Sequence, residues 1–287
     1  LGTAVGVHAH TRARRQPGSA LKPFTYGLAF ERGLSPAAAL PDVPTRYAGA
    51  GGSVYAPQNY DLLFHGPVLA REALGRSLNI PAVRVAGLVG VGDLLTRLRK
   101  IGFTSLDQPA SHYGLGLTLG NGEVTLLELA QAYAMLSRGG RTCRATPLPE
   151  APSDADADAP RDGEVQAFDP EIAWLVLDAL RDERVRVQAF GTTSALLMGF
   201  PVAVKTGTSA NFRDSWAIGT TDALTVAVWV GDFGGRSMNH LAGAAGAGPL
   251  LNQVLTAARK RDPRRAVPAA APSGVHVVEV CSLSGLR

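Results

Sequence analysis

A hydroxyl and an amine stand three residues apart in Pro17-Gly18-Ser19-Ala20-Leu21-Lys22-Pro23-Phe24, where a helix is predicted to begin. Residues three apart on a helix share a face, so Ser19 and Lys22 can be aimed at one point. A serine hydroxyl is a poor nucleophile until a neighbouring base takes its proton. A lysine can be that base when apolar neighbours and other cations lower its pKa, and Leu21, Phe24 and Leu28 supply apolar neighbours. The pair predicts covalent chemistry in which a substrate acylates Ser19 and Lys22 activates it.

Two more stretches carry polar groups in telling places. Ser77-Leu78-Asn79 falls between the end of one predicted helix and the start of another, where it reads equally as a cap or a turn. Lys205-Thr206-Gly207-Thr208 lies in a predicted strand beside Ala203, Val204 and Ser209. A lysine and two threonines in an apolar strand are costly unless that edge faces a polar cleft. Gly207 removes a side chain where another backbone can approach closely. Lysine usage sharpens the point: the chain has four lysines against twenty-four arginines. Arginine cannot lose its proton in a protein, so a position that needs a titratable amine must be lysine. Taken singly the motifs are cheap, since Ser-x-x-Lys is expected about once by chance in a chain of this length. Their joint occurrence in this order carries the weight.

These groups must be positioned by the rest of the chain. Residues 1–10 alternate small and apolar groups and predict a strand leading to the Ser19 helix, which runs to about Arg32 and stops at Gly33. Residues 33–60 have little periodicity and predict an irregular surface segment. Helical spacing covers VLAREALGRSL from Pro67 to Ser77, Pro81 opens the next helix at its first position, and GDLLTRLRKI forms a short amphipathic helix at 92–101. The glycine-rich GLGLTLGNG at 114–122 predicts close backbone packing. Thr125-Leu126-Leu127-Glu128 is a capping box for a helix through Leu136 that ends at Gly139-Gly140. After a linker-like stretch at 147–164, Asp169-Pro170 caps the helix IAWLVLDALRD. The period then changes: 202–209, 215–220 and 224–230 predict three strands with short turns, hence an antiparallel sheet. Gly248-Pro249 starts a final helix, LLNQVLTAARK, that covers the sheet. Residues 262–274 read as a Pro/Ala linker, and the tail VHVVEVCSLSGLR as the first strand of a further unit.

Other chemistries are excluded by the same reading. Cys143 and Cys281 are too few and too far apart for a disulfide framework or a zinc site, and the six histidines show no metal-ligand spacing, so neither metal nor cofactor is predicted. The 114–122 glycines do not match a dinucleotide fingerprint, and Lys205-Thr206 lacks the glycine spacing of a phosphate-binding loop. Asp154, Asp156, Asp158 and Glu164 belong to a solvated loop rather than a pair of catalytic carboxylates. The net charge of +4 gathers at Arg12–Arg15 and Arg259–Arg265 without interleaved aromatics, which disfavours nucleic acid. No apolar run reaches eighteen residues, and Leu1 is not followed by a signal region; an upstream segment is expected to carry any membrane anchor.

RQPGSALKPF, RSLNIPAVRVA, GLGLTLGNGEVTLLELAQAYAMLSRGG, VAVKTGTSANFRDSWAIG and TVAVWVGDF together resemble the transpeptidase domain of penicillin-binding proteins, over about residues 11–260. RSLN with NIPAV is similar to the bifunctional class A branch, and CSLSG after a Pro-rich linker to the start of the extra C-terminal domain of its 1C type. The resemblance implies an α/β (α+β) fold of the β-lactamase/transpeptidase type, with an antiparallel β-sheet flanked by helices plus an all-helical subdomain. It divides the chain into a transpeptidase domain at 1–261 with a short N-terminal strand region, a linker at 262–274, and the start of a C-terminal domain at 275–287. It implies a peptidoglycan D,D-transpeptidase on the periplasmic, extracytoplasmic face of the bacterial inner membrane, with stem peptides and β-lactam antibiotics as partners. By resemblance, Ser19 is the nucleophile and Lys22 its base, Ser77 relays a proton, and Lys205 keeps the local field positive. Asn79 binds the substrate amide; Lys205, Thr206 and Thr208 grip its terminal carboxylate beside Gly207; the backbone N–H groups of Ser19 and Thr208 form the oxyanion hole. The middle motif departs from the Ser-Asp-Asn form at Leu78, and no Glu-x-x-Leu-Asn stretch supplies a β-lactamase's water-activating base. A D,D-carboxypeptidase or β-lactamase-type hydrolase, and a non-catalytic penicillin-binding sensor or scaffold, stay open as alternatives.

Overall fold

The computed structural model describes residues 11–48, 54–145, 163–238, 241–262 and 270–287. The strand predicted at 1–10 lies outside the described residues, as do nearly all of the acidic stretch and the middle of the Pro/Ala linker.

A 3-10 turn at Gly18–Leu21 runs directly into helix α1 (Lys22–Glu31), and every residue of α1 from Lys22 to Phe30 is buried. A helix apolar on all sides belongs in a core, and this one sits at the centre of the molecule. Phe24 packs edge-on against Phe103 and Tyr133, each ring 5.5 Å away. Tyr133 Oη donates to the Ala20 carbonyl at 2.8 Å, which ties the turn carrying Ser19 to the helix at Leu126–Ser137.

The segment expected to be irregular contains strands. β1 (Ala39–Asp42) pairs antiparallel with β4 (Gly66–Leu69), and β2 (Tyr47–Ala48) with β3 (Val54–Tyr55). Strands of two to four residues are too short to show a period, and the partners of β1 and β4 lie well beyond a local window. β4 also takes Pro67–Leu69 from the predicted helix, so α2 covers only Ala70–Gly75. Helix α3 (Asn79–Val89) begins two residues ahead of Pro81. Proline at the third position is tolerated because the first four N–H groups of a helix have no intrahelical partner anyway. α4 (Val91–Ile101) buries Leu94, Leu95, Leu98 and Ile101 and ends on left-handed Gly102. α5 (Ala110–Tyr113) leads into a 3-10 helix at Gly114–Leu119, and α6 (Leu126–Ser137) opens with both bonds of its capping box.

α7 (Pro170–Arg181) starts with Pro170 at its first position, while the Asp169 side chain makes no capping bond. α8 (Glu183–Phe190) follows at once, with the Asp182 carboxylate accepting from the N–H groups of Arg184 and Val185. ERVRVQAF has no apolar stripe, which is why its sequence gave no helical signal. Buried Arg186 donates to the carbonyls of Leu180, Arg181 and Val202, joining the end of α7 to the approach of β5.

β5 (Ala203–Thr208), β6 (Asp214–Thr220) and β7 (Thr225–Gly231) form an antiparallel sheet in that order. Alternate residues point to opposite faces. Ala203, Trp216 and Ile218 join the large core with α1, α6 and α7, whereas Val204 and Ala217 join a smaller core with Leu251 and Leu255 of α9 (Ala247–Arg261). The architecture is mixed α/β, with antiparallel sheets flanked by helices. The tail at 270–287 forms turns closed on themselves by Cys281 and Gly285, not the predicted strand.

Candidate active site

Ser19 occupies the second position of the 3-10 turn. Gly18 has φ +56° and lies so close to the Thr208 backbone that a Cβ there would overlap it; a Cβ on Gly207 would overlap the Pro17 carbonyl oxygen. The turn and β5 therefore lie backbone to backbone, which only glycine permits. Gly120, from the glycine-rich segment, packs on Gly18 from the other side.

Lys22 is 0% exposed and Lys205 2% exposed. Lys22 Nζ donates to the Ser77 carbonyl at 2.5 Å and to Asn79 Oδ1 at 2.6 Å, with Ser77 Oγ at 3.4 Å. Lys205 Nζ donates to Ser77 Oγ at 2.8 Å and to the Thr206 carbonyl at 2.8 Å. Ser77 thus stands between two amines from distant parts of the chain. Its φ of +62° is unusual for a residue with a Cβ and turns its side chain toward both. No carboxylate of the described residues lies within ion-pair distance of either lysine. An ammonium buried without a counter-charge is expensive. Burial, followed by the repulsion of Lys205, holds Lys22 well below the ordinary lysine range. Burial brings Lys205 down to about 7.

The acceptors around Lys22 define which face of the amine is free. A neutral amine has two N–H groups and one lone pair. The Ser77 carbonyl can only accept, and Asn79 Oδ1 likewise, so the two short contacts take both hydrogens of a neutral Lys22. Ser19 Oγ is not among its partners, and the lone pair remains for a proton.

Asn79 is itself held by two residues that the sequence reading did not single out. Asn59 Oδ1 accepts from the N–H groups of Asn79 (2.8 Å) and Ile80 (3.4 Å), capping α3 from outside because Leu78 at its N-cap position offers no side-chain bond. Asn59 Nδ2 donates to both oxygens of buried Asp42, at 2.9 and 2.8 Å, which fixes the amide orientation. Asn79 Nδ2 donates to the Gln58 carbonyl at 2.7 Å. The expected role of Asn79 toward a substrate amide therefore shares the side chain with a contact to Lys22. The only sequence clue to Asn59 was a helix start without a capping side chain of its own.

Ser19, Ser77, Asn79, Thr206, Gly207 and Thr208 all line one cleft of about 360 Å³, a size suited to a small ligand. Its other walls are the end of α8 (188–190), the turn at 242–245 and residues 60–61, while Lys22 and Lys205 lie behind the surface. Thr208 Oγ1 accepts from the Gly243 N–H at 3.0 Å, bracing the turn against β5. Among the described residues no cluster of His, Cys, Asp and Glu could hold a metal ion, and no helix is long and apolar enough to cross a membrane. A hydroxyl on a turn, two amines whose pKa burial lowers, and a second hydroxyl between them form an arrangement chemically capable of acyl transfer.

Residues 8–236 match the sequence profile of the family described as penicillin binding protein transpeptidase domain. Penicillin-binding protein 1C of Escherichia coli (strain K12) is 38% identical over 241 residues, which is 84% of this chain and 29% of that protein. Penicillin-binding protein 1A of Neisseria gonorrhoeae is 33% identical over 245 residues, or 80% of this chain and 29% of that protein. The chain thus spans about 29% of the length of these curated relatives. Among solved structures, penicillin-binding protein 1A from Haemophilus influenzae superposes with a TM-score of 0.81 at 24% identity, covering 96% of this chain and 47% of that one. The PonA1 protein from Mycobacterium tuberculosis in complex with penicillin V gives 0.70 at 20% identity, covering 93% and 74%. At these identities the two structures establish a shared fold.

Proposed function

The chain belongs to the family of penicillin-binding protein transpeptidase domains, and on that premise we propose that it is a serine D,D-transpeptidase that cross-links peptidoglycan stem peptides. The observation that carries this reading is the pairing of Lys22 and Lys205 on Ser77 beside the cleft that Ser19 lines.

Ser19 Oγ attacks the carbonyl carbon of the penultimate D-Ala and gives its proton to the lone pair of neutral Lys22. The oxyanion that forms is held by the backbone N–H groups of Ser19 and Thr208. Collapse breaks the C–N bond; Ser77 protonates the departing D-Ala nitrogen and is reprotonated from Lys22, with Lys205 donating to Ser77 Oγ throughout. Thr206 and Thr208, with Lys205 behind them, grip the terminal carboxylate at the Gly207 edge of β5. Asn79 meets the substrate amide while keeping Lys22 in place. The amine of a second strand then attacks the Ser19 ester, an amide forms, and the serine regains its proton. A β-lactam acylates Ser19 by the same first step and blocks it.

The match to penicillin-binding protein 1C and the CSLSG tail support a parent protein of the bifunctional class A branch and 1C type, acting at the outer face of the inner membrane. Fluorescent penicillin labelling tests the reading: the wild type takes up label and Ser19→Ala does not. Folded wild-type protein that stays unlabelled refutes it. Incorporation of an added amine into a D-Ala-D-Ala peptide, rather than its hydrolysis, separates transpeptidase from carboxypeptidase.

A further inference from the structure

Resting on the acyl-transfer reading, we propose that Arg76 is a carboxylate-binding residue of the cleft, taking an acidic group of a peptide substrate other than the terminal carboxylate assigned to β5. Among the described residues that line the cleft, Arg76 is the only cation. It makes no ion pair with any carboxylate of the described residues. Among the described residues its side chain makes one hydrogen bond, from Nη2 to His65 Nδ1, at 2.9 Å.

That bond determines the rest of the cluster. A guanidinium only donates, so His65 Nδ1 must accept, and the ring proton sits on Nε2. Nε2 in turn donates to Asp61 Oδ2 at 2.9 Å, while Asp61 Oδ1 accepts from the Leu63 N–H at 3.1 Å. The imidazole ring therefore stands between the carboxylate and the guanidinium. Asp61, which also lines the cleft, makes no direct ion pair with Arg76, because the imidazole ring lies between them. Arg76 is held at one nitrogen, with its remaining side-chain donors free of partners among the described residues, immediately before the Ser77-Leu78-Asn79 turn. A planar fork of donors with no carboxylate in direct contact is the geometry that binds a carboxylate in two places. Lys22 and Lys205 cannot serve a second acidic group at this wall, because both are buried behind the cleft surface.

The carboxylate can come from the acyl donor, on a side chain preceding D-Ala-D-Ala, or from the acceptor, beside its attacking amine. Two matched pairs of substrates separate these sources: donors with that side-chain carboxylate or its carboxamide, and acceptors with the neighbouring carboxylate or its carboxamide. The wild type is expected to prefer the carboxylate member of one pair by about tenfold in kcat/KM, between the worth of an exposed and a buried charge pair. The preference should vanish in Arg76→Gln, survive in part in Arg76→Lys, and shrink in the wild type as salt rises from 0.02 to 0.5 M, because the cleft is open to ions. The salt series needs no variant and stands if Arg76→Gln does not fold. No preference in either pair, a preference unchanged in folded Arg76→Gln, or one indifferent to salt would each overturn the proposal. Wild-type protein that forms no acyl-enzyme with either donor would instead refute the acyl-transfer reading itself.

Discussion

Replacing Lys205 by methionine removes a charge while keeping the low-dielectric surroundings, and so isolates what Lys205 does to Lys22. Both amines reach Ser77 Oγ, at 3.4 and 2.8 Å, so their nitrogens are no more than about 6 Å apart. Two unit charges about 6 Å apart at an effective dielectric of about 20 repel by roughly 3 kcal/mol, or about two pKa units. Lys205 titrates near 7, so its full charge acts only below that pH. The two amines lose their protons as a coupled pair, and we expect an upward shift of about one to two units in the pH midpoint of acylation. The assay is the second-order rate of penicillin acylation from pH 6 to 10.5 for wild type and Lys205→Met. Loss of the carboxylate grip lowers the whole curve, whereas the change in Lys22 moves it sideways. The deficit of the variant should therefore be about tenfold or more larger at pH 6.5 than at pH 10. A midpoint that stays in place or moves down would refute the electrostatic coupling. Stability carries a matching sign. A lysine whose folded pKa lies below its unfolded value destabilises the fold at low pH, and that cost fades as pH rises from about 7 toward the unfolded value. The wild type should gain stability relative to Lys205→Met across that window in urea unfolding.

Gly207→Ala forces a Cβ into the Pro17 carbonyl and must push β5 away from the Ser19 turn. Because a shift of about 1 Å in reacting groups costs about a hundredfold in rate, penicillin labelling should fall by that order while circular dichroism stays native; labelling within twofold would contradict the backbone-to-backbone packing. Asn59→Ala leaves the Asp42 carboxylate the His65 N–H at 3.0 Å but removes both bonds from Asn59, strips the first N–H groups of α3 of the Asn59 oxygen, and should cost about 3 kcal/mol in urea unfolding. Asn59→Asp, which adds a second carboxylate beside Asp42, should be worse than alanine, and the opposite order would show that the cap outweighs the Asp42 contact. Glu128 accepts from the N–H groups of Thr125 and Ser105 and from the hydroxyls of Ser105 and Thr104. Burial alone would raise its pKa, but these bonds together hold it below the usual range. Its stabilisation is thus complete above the unfolded value of about 4.3 and is lost as pH falls through the lowered folded value. The stability gap between wild type and Glu128→Gln should be widest near neutrality and close in acid.

The elements that hold the site were legible where one face or one run of residues told the whole story. PGSALKPF was legible as a helix start, with Leu21, Phe24 and Leu28 as apolar neighbours of Lys22, although the burial of the whole helix was not; the 125–128 capping box formed both of its bonds. The β5–β6–β7 sheet was legible because its strands alternate between two cores. β1 and β4 escaped because each is short and each depends on a partner more than twenty residues away. α8 escaped because it is tied down by Arg186 and Asp182 rather than by an apolar stripe. In the site, Ser19, Lys22 and Lys205 stood out by type and spacing, whereas Ser77 and Asn79, which read equally as a cap or a turn, were named through the resemblance to the family's three motifs. Asp42 and Asn59 could not, since a hydrogen bond across β1, a loop and α3 leaves no mark on local sequence. The division of Asn79 between Lys22 and Gln58 is likewise a tertiary fact.

Ser19 Oγ is proposed as the atom that becomes acylated. Peptide-level mass spectrometry of protein treated with penicillin measures this directly. A single adduct on the peptide that carries Ser19, absent from Ser19→Ala and slow to leave the wild type, is the predicted result. An adduct on any other residue, or one that persists in Ser19→Ala, would contradict the account.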